Sequence, residues 1–113
     1  MRKIMFCTSS RADWSRCQSV VEESKKLGAY TTVVVCGSHL TSSSINEVRS
    51  ITPNMVVTFP LLPGNTLRSM SDSIALLIHD ATTILVSLKP DVVVIPTDRY
   101  EMLGFAIAAS MNN

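Results

Sequence analysis

Asp91-Val92-Val93-Val94-Ile95-Pro96-Thr97-Asp98-Arg99-Tyr100-Glu101 is the stretch that decides the fold of this chain. Residues 92–95 are all β-branched, with no polar residue between them, the pattern of a strand buried on both faces. Residues 101–111 are apolar and rich in alanine, Ala106-Ile107-Ala108-Ala109 among them, and read as a helix. A polar cluster separates the two. Strand, polar cluster, helix is the repeating unit of an open parallel α/β sheet, which binds ligands in the crevice beyond the carboxyl ends of its strands.

The same unit recurs upstream. Lys89-Pro90-Asp91 ends a long helix over residues 66–88, whose Met70, Ile74, Leu77, Ile78, Ala81, Ile84 and Leu85 lie three or four apart. Thr66 is placed to cap it. Residues 55–59 form a strand, followed by a loop carrying Pro60 and Pro63-Gly64. A short helix is expected around residues 45–48, with Pro53 closing it. Residues 30–36 are a β-branched strand that stops at Gly37. Residues 3–7 form the first strand. Residues 12–27 form the first helix, with Val20, Val21, Ser24 and Leu27 near helical spacing and Gly28 as its stop. The alternation predicts a Rossmann-like parallel sheet of strand order 3-2-1-4 with right-handed crossovers. Residues 1–113 are expected to form a single incomplete Rossmann-like domain. The rhythm calls next for a fifth strand, and an uncovered strand edge invites pairing with a further domain or with another copy.

Composition narrows the function classes. The net charge of +1 offers no basic field for nucleic acid. The apolar fraction of 46% suits a packed core rather than disorder. No apolar stretch reads as long enough to span a bilayer, and the run after Met1-Arg2-Lys3 is too short for a signal peptide. The cysteines, Cys7, Cys17 and Cys36, make neither a disulfide framework nor a zinc knuckle, and read as buried thiols of a reducing, cytoplasmic compartment. Glycine-rich dinucleotide and P-loop patterns are missing, as is a serine elbow.

Polar residues gather at the strand ends: residues 9–15, residues 36–40, Gly64-Asn65-Thr66 and residues 96–101. Two arginines, two acids and a histidine on one edge point to a polar, anionic small molecule. Arg99 directly precedes a helix, where a planar guanidinium can chelate phosphate, and Asp98 can serve as a general base. A capping Asp98 with a solvated Arg99 fits the same pattern. Arg11 and Asp13 repeat that choice after the first strand, with Ser10 or Asp13 as the cap. Trp14 either stacks a base or packs in the core. His39 either bonds a sugar or is structural, and His79, inside the long helix, reads as structural.

Together, Ser10-Arg11-Ala12-Asp13-Trp14, Gly37-Ser38-His39-Leu40, Gly64-Asn65-Thr66, and Lys89-Pro90-Asp91 followed by Asp98-Arg99-Tyr100-Glu101 resemble the UDP-N-acetylglucosamine 2-epimerase family, and within it the hydrolysing branch that serves sialic acid synthesis. The resemblance runs along nearly the whole chain. It implies the N-terminal half of a GT-B-like two-domain fold, with UDP-N-acetylglucosamine in the cleft between the halves. It further implies Asp98 as the catalytic acid/base near the sugar and Arg11, Ser15, His39 and Arg99 as substrate-binding residues. The implied reaction eliminates UDP through a glycal-like intermediate and then adds water, giving N-acetylmannosamine without a redox cofactor or a metal. Trp14 stands where the family has tyrosine, Asn65 where it has aspartate, and Thr97 where it has glycine. The family continues into a His-x-Gly-Gly-Glu motif and a second domain, so this chain alone is expected to be inactive.

Two other readings compete. One is a non-catalytic α/β module that binds a nucleotide sugar weakly, or a protein partner through its open sheet edge. The other is an unrelated flavodoxin-like or regulatory domain. Weak UDP binding that depends on Arg11 or Arg99 separates the last from the others.

Overall fold

β1 (Lys3–Thr8) sends alternate side chains into two separate cores. Met5 and Cys7 face one, Phe6 the other. The same division holds in β2 (Tyr30–Val35) and the residue after it: Val34 and Cys36 go to the first core, Val33 and Val35 to the second. A strand has a side-chain period of two, so a run of apolar residues with no polar partner every second place must be covered on both faces. In this computed structural model, residues 1–36, 45–51, 55–57, 66–96 and 99–112 are described, the side chains of 55–57 excepted.

The remaining elements are α1 (Arg11–Lys26), α2 (Ile45–Ile51), β3 (Met55–Val57), α3 (Leu67–Leu88), β4 (Val92–Val94) and α4 (Tyr100–Met111). The strands are parallel in the order β3-β2-β1-β4. β1 pairs along its length with β2, from Lys3 opposite Tyr30 to Thr8 opposite Val35. On its other side, Ile4, Met5 and Phe6 pair with Val92, Val93 and Val94. Asp91 locks that register at the amino end: its N–H donates to the Lys3 carbonyl at 2.8 Å and its carboxylate accepts from the Lys3 N–H at 2.8 Å. β4 is shorter than the stretch 91–95 read from the sequence. Asp91 acts as a clamp instead of a ladder residue, and Pro96 has no N–H to extend the pairing.

α1 and α2 cover one face and α3 and α4 the other. On α1 the buried residues are Asp13, Trp14, Cys17 and Val21. Val20 and Leu27, counted by spacing toward the inner face, are exposed, because the stripe that meets the sheet runs through 14, 17 and 21. Trp14 is 1% exposed and therefore belongs to the core; it has no free face on which to stack a base. α1 ends at a left-handed Gly28 (φ 88°) whose N–H donates to the Lys25 carbonyl, while Ala29 donates to that of Ser24. These paired bonds close the helix end as a Schellman motif.

α3 buries Ser73, Leu77, Ala81 and Leu85, a row at every fourth residue, against α4. The helices approach closely at Gly104, where a Cβ would stand 3.1 Å from the Leu77 Cβ and 3.3 Å from the Ile74 carbonyl oxygen. Contrary to the reading above, α3 is long and apolar enough to cross a membrane by length and composition. Its buried row packs on α4, and its Asp72, His79 and Asp80 lie away from that row. His79 is exposed, 3.9 Å from Asp80, outside either core.

β4 is paired only through β1 among the described residues, and Val92 is exposed. Beside the amino end of β4 lies a groove of about 720 Å³, lined by Leu85, Val86, Pro90, Asp91, Val93 and Ala109. It sits at the end of the sheet opposite to the polar clusters.

Candidate functional site

Among the described residues, the carboxyl ends of β1 and β4 carry the polar residues. The Cys36 N–H donates to the Thr8 carbonyl at 2.9 Å, so the β1–β2 pairing runs to the last residue of β1. Thr8 and Ser9 are fully buried there.

The turn into α1 is built by its own polar side chains. Ser10 is the cap, with extended backbone, and its Oγ accepts the Asp13 N–H at 3.2 Å. Asp13 folds back: its Oδ2 accepts from both the Ser9 N–H and the Ser9 hydroxyl at 2.8 Å each. Ser10 and Asp13 thus satisfy donors reciprocally in the manner of a capping box, with the acid reaching one residue further back. Asp13 is 1% exposed, so its charge rests on these bonds and on the helix N-terminus. Arg11 and Ser15, one turn apart on α1, are both exposed.

The turn into α4 is built differently. Arg99 occupies the cap position, extended and without a side-chain capping bond. Its Nε donates to Glu101 Oε1 at 2.6 Å, a charge-assisted bond. Glu101 is fully buried, whereas the Arg99 side chain is 43% exposed. That hydrogen bond raises the Arg99 pKa above its ordinary value; burial works against it, and the charges of Glu101, Asp13 and Tyr100 add to the rise. Tyr100 is also raised, by burial first and by Glu101 second, with Arg99 opposing.

Arg11, Ser15 and Arg99 therefore lie on one edge, as read from the sequence. Asp98 and His39, with Gly37, Ser38, Leu40, Gly64, Asn65 and Thr97, lie outside the described residues. The residues missed as site elements are the two buried acids. From the sequence, Asp13 reads only as a cap. Glu101 carried a legible signal: it is the one charged residue of α4 and shares the spacing of the buried Phe105 and Ala108, four and seven residues on. A charge on the core stripe needs a partner, and the arginine two residues earlier supplies it. The arrangement is acids inward, arginines outward, which suits an anionic ligand. Among the described residues no three His, Cys, Asp or Glu side chains are grouped to hold a metal ion.

The sequence model of the UDP-N-acetylglucosamine 2-epimerase family matches residues 22–113. The chain belongs to the UDP-N-acetylglucosamine 2-epimerase family. Solved structures agree on the fold. The UDP-GlcNAc 2-epimerase from Methanocaldococcus jannaschii superposes with a TM-score of 0.75 at 16% identity, covering 96% of this chain and 28% of that one. The enzyme from Neisseria meningitidis, solved bound to UDP-GlcNAc, gives 0.71 at 19% identity, covering 95% and 29%. That from Rickettsia bellii gives 0.69 at 23% identity, covering 98% and 29%. The chain thus spans less than a third of the length of these epimerases, and its small parallel sheet with flanking helices resembles the N-terminal part of their GT-B-like fold.

Proposed function

We propose that this member of the epimerase family is the N-terminal portion of a hydrolysing UDP-N-acetylglucosamine 2-epimerase, the branch that releases N-acetylmannosamine for sialic acid synthesis. The observation that carries the reading is the pair of exposed arginines, Arg11 and Arg99, at the carboxyl ends of β1 and β4, the second bonded to the buried Glu101. Exposed guanidinium groups at a sheet edge suit a diphosphate, and the neighbouring helix N-termini favour the same charge. The UDP-GlcNAc held by the Neisseria meningitidis relative supports a nucleotide sugar as the ligand.

In this reading Arg11, Ser15, His39 and Arg99 bind UDP-N-acetylglucosamine. Asp98, directly before the Arg99 cap, moves the proton at C2 of the sugar. Loss of that proton and departure of UDP leave a glycal-like intermediate, to which water adds. Positive groups at the edge stabilise the charge that develops on the leaving diphosphate.

Titration of the 113-residue chain with UDP at low salt tests the proposal. The chain is expected to bind UDP, and Arg11→Ala or Arg99→Ala to weaken binding by about tenfold or more, the loss of a charge-assisted bond worth ~1.5–3 kcal/mol. Absence of UDP binding, or binding indifferent to both substitutions, would overturn it.

A further inference from the structure

Glu101 is an unusual residue to keep inside a helix core. It is fully buried, one oxygen holds the Arg99 Nε–H at 2.6 Å, and Oε2 has no hydrogen-bond partner among the described residues. A buried carboxylate oxygen left unpaired weakens a fold, and an apolar residue of similar size commonly serves stability as well or better. α4 has apolar neighbours ready to receive one, since Met102, Phe105 and Ala108 pack in the same core. The contact is therefore poorly explained by stability.

What it does to Arg99 is specific. A guanidinium offers five donors in a rigid plane. Glu101 occupies the Nε–H, and none of the terminal Nη donors is bonded to a described residue. Because the plane is rigid, a fixed Nε–H sets the direction of the two terminal nitrogens, which are the pair that forks a phosphate. Arg99 itself is the helix cap, so its backbone is already set by α4.

We propose that Glu101 is a positioning residue: it anchors Arg99 by the Nε–H so that the terminal nitrogens present a ready fork to the phosphate of the ligand. This deepens the function proposed above and rests on it. Glu101 does not itself touch the ligand.

The sign of one substitution separates this role from simple charge balance. Glu101 carries a negative charge beside an anion site. If it only neutralises Arg99, removing that charge strengthens UDP binding. If it positions Arg99, removing the acceptor weakens binding despite the lost negative charge. UDP titrations of the 113-residue chain, with melting curves of each variant, read this directly. Glu101→Gln keeps an acceptor for the Nε–H and is expected to bind UDP as tightly as the parent, or more tightly. Glu101→Leu is expected to bind about tenfold more weakly while melting no lower. Arg99→Lys, a point charge without the fork, is expected to lose about tenfold as well, and adding Glu101→Leu to it to cost nothing further. The proposal is overturned if Glu101→Leu binds UDP as well as the parent, if its melting point falls together with its binding, or if Arg99→Lys binds normally. Failure of the parent chain to bind UDP is a different result and removes the functional reading itself.

Discussion

Cys17, on the inner face of α1, has its thiol pushed up to about 11, by burial first and by the nearby Asp13 carboxylate second. Cys7, wholly buried, is raised well above the ordinary range for the same first reason, with Cys36 and Cys17 adding to it. An unfolded thiol loses its proton near ~8.5. Above that pH the unfolded chain gives up protons that the folded chain retains, so the folded state loses ground. The contribution is complete below the unfolded value and disappears as pH rises toward 11. Each such thiol steepens the decline by at most ~1.4 kcal/mol per pH unit. Thermal melts at pH 8 and pH 10 are expected to show a smaller drop for Cys17→Ala than for the parent. Equal drops would mean that Cys17 does not titrate in this way. The same burial makes these thiols slow to react in the folded protein. The acids at the edge belong to the same scale: Asp13 is spent on building the α1 turn, whereas the Glu101 carboxylate, among the described residues, is bonded only to Arg99.

At the scale of elements, the helix ends show which local rules carry weight. α1 closes on Gly28 at φ 88°, and a Cβ there would meet nothing within 4 Å. Gly28→Ala therefore costs only the backbone preference, about 1 kcal/mol. That corresponds to a fall in melting temperature of roughly 4–8 °C for a domain near this size; a melt within 1–2 °C of the parent's would show that the Schellman closure contributes little. α3 closes with Lys89 in the same left-handed region, at φ 48°, followed by Pro90, which cannot continue a helix. α3 also shows a limit of pattern reading. Its apolar residues lie three or four apart, but the buried ones keep a spacing of four, and Ile84 and Leu88 pack only partly against the same core.

At the scale of the whole molecule, and on the function proposed above, a sheet with its arginines on the carboxyl edge and with β4 paired only to β1 among the described residues supplies one wall of a cleft. On that function the arginines meet their ligand on a face open to water, which allows binding but does not exclude water from the sugar. Catalysis of the elimination needs a water-excluded site with charges already in place. The chain by itself is therefore expected to release no measurable N-acetylmannosamine or UDP from UDP-N-acetylglucosamine while still binding UDP. Turnover by the purified 113-residue chain would overturn that expectation.

The sequence alone determined the alternation of strands and helices. Continuous β-branched runs, a glycine stop at 28 and caps at Ser10 and Thr66 are local signals, each set by backbone preferences within a few residues. It also placed Arg11, Ser15 and Arg99 at strand exits, because in a parallel sheet every strand exits on the same edge. What it left open were the choices that depend on neighbours distant in sequence. Val20 and Leu27 face solvent and Trp14 the core because the sheet lies on only one side of α1. Asp91 is a clamp because Lys3 lies beside it. Glu101 is buried because α4 packs against α3 along the line through Gly104 and turns that side of its first turn inward. Burial and partnership are properties of packed surfaces, and only the tertiary structure decided them.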